Sequence, residues 1–84
     1  MNCEPLVRAI AAGMMFLEES GDDEVDPDSA ERALENMSHV LLQYAGPDRD
    51  EFLELIERVA DSTPDEHDAR FIRDIPRAIG MVES

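Results

Sequence analysis

SGDDEVDPDS, residues 20–29, carries acids at alternate positions: Asp22, Glu24, Asp26 and Asp28. The stretch reads either as a loop that wraps a cation or as the join between two helices, and the fold turns on which. A calcium loop needs a Gly at its sixth position, where the chain turns sharply, and a bidentate Glu at its twelfth. Counted from Ser20, the twelfth residue is Glu31, but the sixth is Val25 and Pro27 stiffens the segment that has to wrap the ion. Counted from Asp22, the twelfth is Ala33. As a helix start the stretch fits well. Asp26 can cap, and Pro27 takes the first helical position, where its missing donor costs nothing. Asp28 and Glu31 then lie near the positive end of the helix dipole, and Val25 is placed to pack on Ala30. At least part of the stretch is a helix join.

Working outward, the upstream helix runs from about Glu4 to Glu19, with Pro5 in its first turn. Leu6, Ile10, Met14 and Leu17 form an apolar stripe, which Val7, Ala11, Met15 and Phe16 widen. A helix apolar on most sides belongs at the centre of its bundle or beneath a partner. The second helix carries Ala33, Leu34, Met37, Val40, Leu41 and Tyr44 on one face and runs to Gly46-Pro47. A third begins near Asp48 and presents Phe52, Leu55, Ile56 and Val59. Thr63-Pro64-Asp65-Glu66 reads as a capping box with Pro in the first turn. The fourth helix then continues through Ala69, Phe71, Ile72 and Ile75 to a break or kink at Pro76, with residues 77–81 as one further turn. No segment alternates like a strand, and no linker or repeat is visible. The expectation is a single all-α domain over residues 1–84, a compact four-helix bundle with a short additional C-terminal helical turn.

A chain of 84 residues buries only about 60–65% of the surface its unfolded form exposes, so a partner or a second copy can add to its stability. Its 21 acids face 7 basic residues, all Arg, for a net charge of −14. Such a chain repels nucleic acid and anionic membrane and attracts basic proteins. Few aromatics, no Trp and plentiful Ala, Arg, Asp and Glu suggest a GC-rich bacterial genome. Cys3 is the only cysteine, which excludes an internal disulfide and fits a reducing cytoplasm. The most apolar run, residues 9–17, is shorter than the roughly 20 residues a bilayer requires and lacks the flanks of a secretory signal. The expected location is cytoplasmic.

Little in the chain points to chemistry. A zinc site wants three or four converging ligands. His67 stands alone in an acidic first turn, and His39 lies at the boundary of another helix. Ser38 adjoins His39, but neighbours on a helix point away from each other and cannot act as nucleophile and base. Cys3 has an acid beside it where a reactive thiol needs a cation. The glycines are scattered and build no phosphate loop. No enzyme, cofactor or metal is expected.

Charge layout says more. Residues 18–35 hold nine acids and one arginine, and residues 48–68 hold nine acids and two arginines. From residue 69 onward three arginines meet two acids. The bland explanation is a solubilising coat. The functional one is a surface for a basic protein, because charge so concentrated repels itself and no Lys dilutes it. The expected contact is Asp22, Asp23, Glu24, Asp26, Asp28, Glu31 and Glu35, with Tyr44 and Phe52 as candidate apolar anchors.

In size, acidity and helical class the chain resembles the immunity proteins of nuclease bacteriocins, a likeness of class carried by no motif. It implies a non-enzymatic inhibitor of a basic bacterial toxin such as a nuclease. Two competing expectations are a small homo-oligomeric scaffold, possible as a homodimer through helix 1, and an acidic mimic of nucleic acid. Direct binding to nucleic acid or membrane is not expected.

Overall fold

Pro5, Pro27 and Pro47 each stand in the first turn of a helix, where the absent N–H is no loss. The computed structural model describes residues 1–83 and contains α1 (Glu4–Glu19), α2 (Pro27–Leu41), α3 (Pro47–Asp61) and α4 (Glu66–Ala78), with no strand among the described residues. It is the expected all-helical, four-helix arrangement. Asp26 caps α2: its carboxylate accepts from the Ser29 backbone N–H at 3.0 Å and the Ser29 hydroxyl at 2.9 Å.

The start of α4 lies two residues beyond its expected place. Asp65, not Thr63, is the cap, and its carboxylate accepts from the Asp68 N–H at 2.9 Å. Thr63 is taken up by the helix before it, its hydroxyl donating to the Val59 carbonyl at 2.6 Å. Pro64 also disfavours helical geometry in the residue preceding it. Thr63 therefore finishes α3, and Asp65 begins α4.

Two further boundaries depart from the sequence expectation. α2 ends at Leu41, short of Gly46, and the N–H groups of Gln43 and Tyr44 close tight turns on Val40 and Leu41. Tyr44 leaves the helical line and stacks on Phe52, with ring centroids 5.3 Å apart. At the other end α4 does not break at Pro76 but continues to Ala78. Proline inside a helix costs about 3 kcal/mol; here it is offset by burial, since Ile72, Ile75 and Pro76 are all in the interior. Gly80, at φ 84°, donates to the Arg77 carbonyl at 3.1 Å, and Met81 donates to the Pro76 carbonyl at 2.9 Å. This is a Schellman closure. Residues 77–81 are therefore the end of α4 itself and not a separate turn.

The apolar excess of α1 is explained by its place. It packs on all three other helices, and α3 packs on α4 as well. The core joins Val7, Ala11 and Met14 to Phe52, Ile56, Val59 and Ala60 of α3 and to Ile72 and Ile75 of α4. Ile56 and Val59 are completely enclosed. α2 packs on α1 alone: no Cα of α2 comes within 8 Å of α3 or α4. Leu6 and Phe16, expected in the buried stripe, are 51% and 55% exposed. The buried line of α1 is instead the Val7–Ala11–Met14 side.

Arginines clasp the three-helix part. Arg8 donates to the hydroxyls of Ser62 and Thr63, Arg58 faces Glu4 at 3.8 Å, and Arg49 donates to the Met81 carbonyl at 3.1 Å. Arg73 bridges Glu57 at 3.1 Å and Asp61 at 2.7 Å. The hydrogen bond to Glu57, opposed by desolvation, holds the Arg73 guanidinium above its ordinary range.

Candidate protein-binding surfaces

The chain between α1 and α2 turns tightly, with the N–H groups of Glu24 and Val25 both donating to the Gly21 carbonyl, at 3.0 and 3.1 Å. That turn holds Asp22, Asp23 and Glu24 in solvent. Asp28, Glu31 and Glu35 follow on α2 at spacings of three and four, which places them on one face, and all are exposed. Among the described residues none of these six carboxylates has a side-chain hydrogen bond or an ion pair. Asp26 differs, because its carboxylate is occupied by the cap.

The cations are elsewhere. Arg8, Arg49, Arg58, Arg73 and Arg77 are engaged on α1, α3 and α4. Arg32 is the lone arginine of α2. His67, expected to be merely solvated, meets Glu19 at 2.5 Å and ties the end of α1 to the start of α4. Its partner lies 48 positions away, a juxtaposition that no local pattern contains.

Between the end of α1 and the start of α2 lies a crevice of about 390 Å³. Leu17, Val25, Ala30 and Leu34 supply its apolar lining, and Glu18, Asp22 and Glu31 its acids. The structure thus brings Asp22 and Glu31 together and adds Glu18, which the sequence reading did not single out. Asp23, Asp28 and Glu35 do not line the crevice. Of the two candidate anchors, Phe52 is buried in the core, while Tyr44 is 46% exposed against it.

A second hollow follows from the isolation of α2. Two adjoining depressions share Ile10 and Leu41, one of about 190 Å³ walled by α1, the end of α2 and α3, and one of about 290 Å³ walled by α1 and α2 alone. Leu6 and Tyr44 line one and Met37 and Val40 the other, with Asp48 and Glu51 at the α3 side. A surface depression of about 640 Å³ along α4 is an open trough whose Arg73, Arg77 and Asp74 are already paired.

No protein family, characterised protein or solved structure matches the chain. The functional reading therefore rests on geometry and charge alone. Among the described residues no group of three or more His, Cys, Asp or Glu side chains is placed to hold a metal ion. The Ser38 hydroxyl donates to the Leu34 carbonyl at 2.8 Å, a bond within its own helix. No described helix is long and apolar enough to cross a membrane.

Proposed function

We propose that the chain is a non-enzymatic module that binds a basic protein through the acidic surface of the α1–α2 turn and α2. The observation that carries this reading is that, among the described residues, six exposed carboxylates of the turn and α2 have no ion pair, while five of the seven arginines are engaged on α1, α3 and α4. Carboxylates left unpaired keep a negative potential at the surface, screened by salt beyond about 10 Å. They speed encounter with a positive partner and penalise an acidic one. The crevice between Glu18, Asp22 and Glu31 offers an apolar centre within that acidic rim, the arrangement in which a buried anchor slows release. In its concrete form the module is an inhibitor or immunity protein that occupies a basic toxin such as a nuclease.

The test is affinity capture from native lysate with tagged protein at low and high salt. The control carries Asp22→Lys, Glu24→Lys and Asp28→Lys. Capture of one basic protein, weakened by salt and lost in the control, is the expected result. Recovery of the chain alone, unchanged in the control, would overturn the reading. One observation favours the homo-oligomer instead, the exposure of Leu6 and Phe16 on α1. Against it stands the −14 charge that each copy brings to the encounter. Sedimentation across a concentration series separates the two.

A further inference from the structure

We infer that the groove between α2 and α3 receives an amphipathic helix of a basic partner, one that presents an apolar stripe flanked by Lys or Arg. The inference rests on the proposed function and names what the partner inserts. α2 and α3 are each 15 residues long, and both pack on α1, but no Cα of one comes within 8 Å of the other. The place between them is one that a further helix would fill in a closed bundle. Its lining is largely apolar, with Leu6, Ile10, Leu41 and Tyr44 in the part that α3 also walls, and Met37 and Val40 in the part walled by α1 and α2 alone. Leu6, Val40 and Tyr44 are 51%, 62% and 46% exposed, so three large side chains meet water where the helices part.

Three properties select the occupant. Among the described residues no polar or charged residue is buried, so the groove presents no sunken hydrogen-bonding group to recognise a small polar ligand. An apolar groove of helical walls takes an amphipathic helix by anchors at i, i+3, i+4 and i+7. Asp48 and Glu51 stand at its α3 side with no cation paired to either among the described residues, which selects a helix whose flanks are basic. A second copy of this chain would bring −14 against −14 and set acid against acid at that edge. The groove lies at the opposite end of the α1–α2 contact from the acidic turn. A partner steered by the turn and anchored in the groove therefore uses two separable determinants.

The experiment titrates the full chain against a fluorescein-labelled peptide of about 15 residues, long enough to span about 22 Å as a helix. The peptide is built from Leu and Lys, with Leu at i, i+3, i+4 and i+7. A peptide of the same composition with strictly alternating Leu has the same charge and no helical stripe. The expected result is at least tenfold tighter binding of the striped peptide. Val40→Asp should cost about tenfold of that affinity even though it adds a negative charge, and circular dichroism checks that this surface variant stays folded. Asp48→Asn with Glu51→Gln should weaken binding several-fold and flatten its salt dependence. The triple Lys variant of the turn should keep the preference for the striped peptide.

Equal binding of both peptides, with Val40→Asp without effect and the triple Lys variant inactive, would overturn the groove while leaving the acidic-binder reading intact. Failure of both peptides to bind would remove the groove and the acidic-binder reading together. A dimer that Val40→Asp dissociates, with no peptide binding, would make the occupant a second copy and overturn the inference.

Discussion

α2 and α3 have the same length, each opens on Pro, and each carries an apolar face. Their fates differ. α3 buries Phe52, Ile56, Val59 and Ala60 between two neighbours, whereas α2, with one neighbour, buries only Ala30 and Leu41. Part of the charge follows: Glu57 and Asp61 of α3 share Arg73, while among the described residues Asp28, Glu31 and Glu35 of α2 have no ion pair. An apolar stripe thus establishes that a helix seeks cover, and topology decides how much it receives. The helix that received least also forms one wall of the groove.

The sharpest way to break this contrast is to cut the same kind of hole in both regions. Ile56→Ala should cost about 2–5 kcal/mol, a large share of the stability of so small a domain. Met37→Ala, at a half-buried position of α2, should cost about 1 kcal/mol. Urea unfolding followed by circular dichroism measures both. Equal losses would mean that α2 is as integral as α3.

A smaller effect sharpens the comparison. Asp26→Ala and Asp65→Ala each remove a cap, at about 0.5–2 kcal/mol. Native-state hydrogen exchange should tell them apart, because helices held by fewer contacts open separately. Asp26→Ala should raise exchange in α2 alone, and Asp65→Ala should raise it across α1, α3 and α4 together. Protection lost throughout in both variants would erase the distinction.

The smallest expected effect concerns the clasp between α1 and α4. Glu19 and His67 are 44% and 66% exposed at the side chain, so Glu19→Gln should change stability by no more than about 1 kcal/mol. A thermal melt is sufficient to read it. A larger loss would show that the three-helix part depends on this contact and not on its core.

The helices were legible because their signals are local: Asp26-Pro27 starts α2, and the bounds of α1 fall where the sequence placed them. Errors arose where one residue had two possible uses. Thr63 and Asp65 are both caps by type, and only the end of α3 decides between them. Tyr44 keeps the period of α2 but finds Phe52 a better neighbour. Pro76 reads as a stop until the burial around it is known. The acidic surface was legible as charge, yet its apolar centre was not, since Glu18 and Glu31 meet only once α1 and α2 fold back on each other. The groove was invisible. Leu6 and Val40 carry the spacing of core residues, and nothing local reveals that α2 and α3 stand apart.

The attachment of α2 to α1 alone also bears on how the molecule is assembled in time. Joining distant parts of a chain is the slow part of finding a fold, because the intervening segment loses its freedom before any contact repays it. α2 closes on the helix immediately before it, a local step, and α4 closes on α3 in the same way. The one distant meeting is that of α1 with the α3–α4 pair, and α2 lies within the loop this meeting closes. The rate of folding is then governed by residues such as Ala11 and Ile56, which leaves the surface of α2 free to vary in sequence without slowing the appearance of the folded molecule.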